Sequence, residues 1–280
     1  MKVDLHLHSN VSDGTETPTE LIAAAVAEGV GVLALTDHDT LDGLDEAAAA
    51  AAVHRVRLIR GVELSVDHND AKMHMLVYFF DDDGAPFERR LASLRDGRTE
   101  RNVQIVANLN DLGYDVTLAD VQRHALGPSV GRPHIADALV EKGYFSARNE
   151  VFEHLLHDGG PAYVERDRMT ASEAISLARS CGAVPVIAHP ATIGVPEDGF
   201  GSLFTELRDL GLGGIESHHP MQAVPLRHHL TTIAHALDMA STGGSDYHGV
   251  DKREYRIGIG SGDLAVPLAS VDELDAQRAN

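Results

Sequence analysis

Val3-Asp4-Leu5-His6-Leu7-His8 opens the chain as a short apolar run that ends in two histidines. In extended backbone, alternate side chains share a face, so His6 and His8 point the same way. The pattern recurs along the chain. Val30 to Thr36 is a buried-type run followed by Asp37-His38-Asp39, and Gly61-Val62-Glu63-Leu64-Ser65 places a carboxylate at the end of another. Lys72-Met73-His74-Met75, Ile187-Ala188-His189-Pro190 and Gly244-Ser245-Asp246-Tyr247-His248 repeat the theme, and Asp13 follows the first run closely. Six imidazoles and three carboxylates are thus distributed over strand ends: His6, His8, Asp13, His38, Glu63, His74, His189, Asp246 and His248. Such a set suits a multinuclear site for borderline metals such as Mn, Fe or Zn.

Between these runs the pattern switches to helix. Thr17-Pro18-Thr19-Glu20 reads as a cap with proline at the first helical position, and Gly29 ends that helix. Residues 44–54 hold six consecutive alanines, a strong helix former. Residues 57–64 and 72–80 read as further strands. Strand alternating with helix predicts a parallel α/β sheet or barrel. The rhythm breaks over 86–160, where helical patterns at 87–112, 132–142 and 148–156 stand without a convincing strand. It returns from Ser172, with strands expected at 183–188, at 213–217 and entering Gly243-Gly244. The predicted organisation is a barrel of 1–85 and 161–280, carrying a helical insertion at 86–160. In a β/α barrel, functional residues lie at the C-terminal ends of the strands, where the nine candidates fall.

Composition bounds the function. The 280 residues are 43% hydrophobic, enough for a sizeable core. Cys181 is the only cysteine, so no intrachain disulfide forms. No signal-like or membrane-length apolar segment is apparent, and a soluble cytoplasmic protein is the expectation. A formal net charge of −20 argues against long nucleic acid as a partner. Divalent ions at the nine-residue set would outweigh its three carboxylates, so a small anionic substrate could still bind there. Of the 17 histidines, those at 54, 68, 124, 154, 157, 228, 229 and 235 sit in polar, helical or loop contexts and are given no chemistry.

Taken in order, Asp4-Leu5-His6-Leu7-His8-Ser9, Asp13-Gly14, Thr36-Asp37-His38-Asp39, Gly61-Val62-Glu63, His74, Ala188-His189-Pro190 and Gly244-Ser245-Asp246-Tyr247-His248 resemble the PHP (polymerase and histidinol phosphatase) family. Each motif is weak alone; the ordered set is specific. The resemblance implies a distorted (β/α)7, TIM-like barrel and metal-dependent phosphoester hydrolysis by metal-activated water. The helical insertion resembles the branch holding the 3',5'-nucleotide bisphosphate phosphatases and the 5'→3' exoribonucleases of the RNase AM type. It also implies two or three metal ions, Mn foremost with Fe or Zn open. One would be held by His6, His8, Glu63 and Asp246. A second would share Glu63 and add His74 and His189. A third would use Asp13, His38 and His248.

The expected substrate is a small nucleoside 3',5'-bisphosphate losing its 3'-phosphate, or a short 5'-phosphorylated oligoribonucleotide. Another family phosphatase, such as one for histidinol phosphate, and a non-catalytic polymerase-accessory module are the alternatives. Arg132 and His134, in Gly131-Arg132-Pro133-His134 at a helix start, are candidate phosphate contacts. Arg98 and Arg101, three apart on one helix, are two more, against the plainer reading of a solvated face with Glu100. His218 and His219 follow a strand and one should face the barrel mouth; His218 is taken, with Asp39, as a candidate catalytic helper. Asp37 and Asp39 also suit the orientation of His38. Tyr163 could stack on a base or simply pack.

Overall fold

The structure is a computed structural model that describes residues 1–69, 71–79, 85–125, 130–165, 168–249 and 255–278; the side chains at 85, 95 and 98 lie outside that set. The chain divides into two compact units, Met1–Arg89 with Arg168–Asn280, and Arg90–Asp167.

The first unit is built on one sheet. Its strands are β1 (Lys2–Leu7), β2 (Val30–Leu35), β3 (Arg57–His68), β4 (Ala71–Tyr78), β5 (Met169–Thr170), β6 (Val184–Ile187), β7 (Gly214–His218) and β8 (Ala240–Gly243). The path runs β1-β2-β3-β4-β6-β7-β8, with the two-residue β5 attached to β3. Past the end of β8 the chain meets β1 again. Leu7 bridges Tyr247, the Asp246 amide donates to the His6 carbonyl at 2.9 Å, and the His8 amide donates to the Tyr247 carbonyl at 3.0 Å. These contacts bring the first and last strands of the path together, as a barrel requires.

Local sequence accounts for most elements. Helix α1 (Pro18–Ala27) starts with a reciprocal box: the Thr17 side chain accepts from the Glu20 amide, and the Glu20 carboxylate accepts from the Thr17 amide. Such a cap contributes about 1 kcal/mol. The alanine run forms α2 (Leu44–His54), whose Ala47, Ala50 and Ala51 are buried. An apolar cluster joins Val3 and Leu5 of β1 to Val32, Ile59, Leu76 and Val186 of four other strands. It also takes in Val271 and Leu274 of a C-terminal helix (Ala269–Arg278) that the sequence pattern did not reveal.

The expected all-parallel sheet needs one correction. β4 runs antiparallel to both of its neighbours, β3 and β6. Only Asn69 and the residue after it separate β3 from β4, and a parallel partner would need a crossover of a dozen residues or more. The turn-forming residues in Asp67-His68-Asn69-Asp70 carried that signal. The remaining neighbouring pairs along the path are parallel.

The second unit is helical among its described residues. It holds most of α3 (Ala85–Asp111), then α4 (Leu118–Gln122), α5 (Arg132–Glu141) and α6 (Arg148–Val151), which runs into a π-helical turn at Phe152–Leu156. It has its own core, including Ile105, Leu109, Ile135, Leu139 and Val151. No helix among the described residues is long and apolar enough to cross a membrane.

Candidate metal centre

The structure brings all nine predicted ligand-type residues together around Glu63. Its Oε1 lies 2.9 Å from His74 Nδ1 and 2.9 Å from His189 Nε2. Its Oε2 lies 3.2 Å from His6 Nε2, 3.2 Å from His8 Nε2 and 3.1 Å from His38 Nδ1. Asp246 Oδ1 sits 3.4 Å from His6 Nε2 and 3.3 Å from His8 Nε2. On the far side of His8, Asp13 Oδ1 is 3.2 Å from His248 Nε2 and 4.0 Å from His38 Nε2. The rings of His8 and His248 stack with centroids 4.1 Å apart.

The donor set fits divalent cations. Among the described residues, eight buried side-chain polar atoms have no hydrogen-bond partner, and five of these are His6 Nε2, both ring nitrogens of His8, Glu63 Oε2 and His219 Nε2. Buried polar groups are normally satisfied, so such a concentration calls for another partner. Two groups, His6-His8-Glu63-Asp246 and His8-Asp13-His38-His248, each offer ligand atoms within 4.8 Å of one another. Nitrogen and carboxylate oxygen at that spacing suit a borderline divalent metal.

Carboxylates outside this set hold it in place. Glu216 is fully buried; its Oε1 lies 2.9 Å from His6 Nδ1 and its Oε2 accepts from the His189 amide at 2.7 Å. A carboxylate facing Nδ1 keeps the proton there and turns Nε2 toward Glu63 and Asp246. Asp4 accepts from the amide and hydroxyl of Ser245 at 2.8 and 2.6 Å and from the Gly258 amide at 2.7 Å, bracing the turn that carries Asp246. Asp37 accepts from the amide and hydroxyl of Ser9 and from the Ser12 hydroxyl, bracing the loop that carries Asp13. Asp39 accepts from the Ser65 amide at 3.2 Å and so ties the turn bearing His38 to β3 beyond Glu63. Asp39, His189 and Asp246 all adopt positive φ. Such backbone is strained in non-glycine residues and persists where its surroundings over-determine it.

Glu216 was not singled out in sequence, and of the pair His218 and His219 it is His219, not the expected His218, that the structure turns into the cluster. A carboxylate inside the apolar strand of Gly214-Ile215-Glu216 was a usable signal, since a buried charge demands a partner. The β7–β8 register shifts between Glu216 and His218, so simple alternation fails there. His219 is the fully buried imidazole, 3.4 Å from Asp246 Oδ2. His218 is not brought into the cluster; it is half-buried, and burial followed by the charge of Arg227 lowers its pKa.

The candidate phosphate contacts make ties inside the helical unit. Arg132 Nη1 donates to the Leu156 carbonyl at 2.9 Å and to Asp158 Oδ1 at 3.0 Å, with its guanidinium over the Tyr163 ring. Arg101 Nε donates to the Val164 carbonyl at 2.8 Å, and His134 Nδ1 accepts from the Gly131 amide at 3.0 Å. The Arg98 side chain lies outside the described set.

The cluster also sets protonation. Burial opposes charge on His6, but Glu216, Glu63 and Asp246 outweigh it and raise its pKa well above the ordinary value. Burial likewise opposes charge on His8, and Asp246 and Glu63 lift it to about 10. His74 is raised against its burial by Glu63. His38 goes the other way, to about 3, through burial and the charge of His8. A metal ligand must be a neutral imidazole. Near neutral pH, metal uptake should therefore release protons from His6 and His8 and none from His38, and metal affinity should climb with pH. Calorimetric metal titrations in buffers of different ionisation enthalpy measure this; a heat independent of buffer would contradict it. A second expectation concerns Glu216→Gln. It should lower metal affinity by roughly 10–100-fold, as loss of an orienting partner does. Competition against a chromophoric chelator checks it, and an unchanged affinity would remove Glu216 from this role.

A β/α barrel whose strand ends converge on six histidines and three carboxylates defines a scaffold for a multinuclear metal site. Residues 4–156 match the PHP domain model. The chain belongs to the PHP domain family. It is 33% identical to a 3',5'-nucleoside bisphosphate phosphatase of Chromobacterium violaceum, over 88% of this chain and 87% of that one. It is 34% identical to a 5'-3' exoribonuclease of Haemophilus influenzae, over 88% of this chain and 90% of that one. Among solved structures, a Bifidobacterium adolescentis protein described as a metal-dependent phosphoesterase superposes with a TM-score of 0.81 at 29% identity, covering 98% of this chain and 96% of that one.

Proposed function

We propose that this protein is a metal-dependent phosphohydrolase that removes the 3'-phosphate from small nucleoside 3',5'-bisphosphates, and that also acts 5'→3' on short 5'-phosphorylated oligoribonucleotides. The observation that carries this reading is the complete nine-residue set gathered around Glu63, in a chain whose relatives by name include both activities. In this reading the residues hold two or three divalent ions, manganese by preference. His6, His8, Glu63 and Asp246 serve one, Glu63 with His74 and His189 another, and Asp13, His38 and His248 a third.

Ions so held supply Lewis acidity, acidifying a water and drawing charge off phosphoryl oxygens. The chain's own groups supply order. Glu63 joins two of the three sets, Glu216 fixes the face His6 presents, and Asp4 and Asp37 hold the loops that bring Asp246 and Asp13 inward. Asp39 acts in this reading as a positioning residue for the end of β3. Its buried carboxylate accepts a backbone amide and supports the charge on His74. No side chain has to act as a covalent nucleophile. The acidic surface favours short substrates over polymers.

The test is phosphate release by manganese-loaded protein from adenosine 3',5'-bisphosphate, 5'-AMP, histidinol phosphate and a 5'-phosphorylated trinucleotide. Loss of the 3'-phosphate from the bisphosphate ahead of the other monoesters is the expected result. Preference for histidinol phosphate would move the protein to another activity on the same scaffold. Tight metal binding without turnover of any ester would overturn the hydrolase reading.

A further inference from the structure

A cavity of about 300 Å3 opens directly beside the metal centre, and all of its described lining residues belong to the barrel unit. Two of them, His74 and His189, are the histidines that share Glu63 Oε1. The rest of the wall brings in Lys72, Arg168, Ser65 and Thr192, with Val66 and Met73. In a chain with 43 acidic residues against 23 basic ones, the described residues of this wall include two cations and two hydroxyls and no carboxylate.

Sheet register explains why these groups meet. Lys72 and His74 are two apart on β4 and share a face of the strand. Ser65 of β3 is the register partner of His74. Arg168 immediately precedes β5, where Met169 pairs with Val66, so the short fifth strand carries the guanidinium to the same place. Arg168 is only 12% exposed, and its Nη1 is held by Asp67 Oδ1 at 3.0 Å. A guanidinium fixed in this way has lost its rotamer freedom before any ligand arrives and still offers further donors.

We infer that this cavity is a subsite for a second phosphate group of the substrate, occupied while the first phosphate lies at the histidine-carboxylate cluster. The inference rests on the phosphohydrolase reading and deepens it. Arg168 supplies planar donors, Lys72 a point charge, and Ser65 and Thr192 hydroxyls, the complement a tetrahedral oxyanion requires. Among its described lining residues none is a phenylalanine or tyrosine on which a base could stack, so in this inference the cavity reads the phosphate rather than the nucleobase. Selection for doubly phosphorylated esters would then be a property of the barrel's own strands β3, β4 and β5.

The experiment uses probes that cannot be turned over. Propane-1,3-bisphosphonate and propylphosphonate differ by one anionic group on an inert carbon linker. Their dissociation constants for the metal-loaded protein are measured by calorimetry in the wild type and in Lys72→Ala. In the wild type the bisphosphonate should bind about tenfold tighter or better, the effect of one charge-assisted contact set. Lys72→Ala, an exposed strand position, should collapse that ratio toward one. A gap that is absent in the wild type, or that survives in Lys72→Ala, overturns the inference. Arg168→Lys, which keeps the charge beside Asp67 but loses the planar fork, should narrow the gap in part. Because binding is read without turnover, a failed substrate panel would sink the hydrolase reading and leave this result separately legible.

Discussion

Glu63→Gln should strip the protein of metal and lower turnover by more than roughly a thousandfold, equivalent to about 4 kcal/mol of transition-state stabilisation. The change is isosteric, so packing is preserved and the charge alone is lost. That charge lies within 3.2 Å of nitrogens from five histidines. Burial pushes the Glu63 pKa up, and His38, His6 and His74 override it, holding the group well below the usual carboxylate range. Glutamine lacks the negative charge that supports protonated His6 and His8 and that would draw divalent cations to the site. Metal content by mass spectrometry and initial rates on a phosphate ester measure the effect. A folded Glu63→Gln protein that keeps its metal and its turnover would remove Glu63 from the centre of the site.

The second large effect is expected at a residue with no side chain. Gly244 packs against β1 so closely that an added Cβ would fall 2.4 Å from both the amide nitrogen and the Cβ of His6. The obstacle is backbone rather than the end of a flexible side chain, so β1 itself would have to move. Gly244→Ala should cost about 3 kcal/mol of stability, the upper range for overpacking. It should also weaken metal binding by more than roughly a hundredfold, because His6 and His8 move with the strand and ligand geometry tolerates little error. Thermal unfolding with chelator present isolates the first effect, and chelator competition the second. Equal stability and affinity in Gly244→Ala would show that the two strands can part without consequence.

These two residues differ in how far they could be read in advance. Glu63 was visible because a carboxylate closing an apolar run stands out, and because eight other ligand-type residues follow the same pattern. Gly244 in Gly243-Gly244-Ser245 reads only as the end of a strand leading to Asp246 until the strand packed against it is known. Glu216 lies between these cases. Its place in an apolar strand flagged a buried charge, but nothing local said that its partners would be His6, 210 residues away, and the amide of His189.

The two-residue β5 and the C-terminal helix could not be read from the chain, but most of the order of strands and helices, the cap of α1, the alanine helix and the nine ligand-type residues could. Each depends on periodicity or residue type within a few positions, which is information carried locally. The antiparallel insertion of β4, the inward turn of His219 instead of His218, the bracing by Asp4, Asp37 and Glu216, and the meeting of Lys72 with Arg168 beside His74 were decided only in three dimensions. They depend on register shifts, on which strand neighbours which, and on where a buried carboxylate finds its donors. Those are long-range pairings, and hydrophobic periodicity carries no information about them.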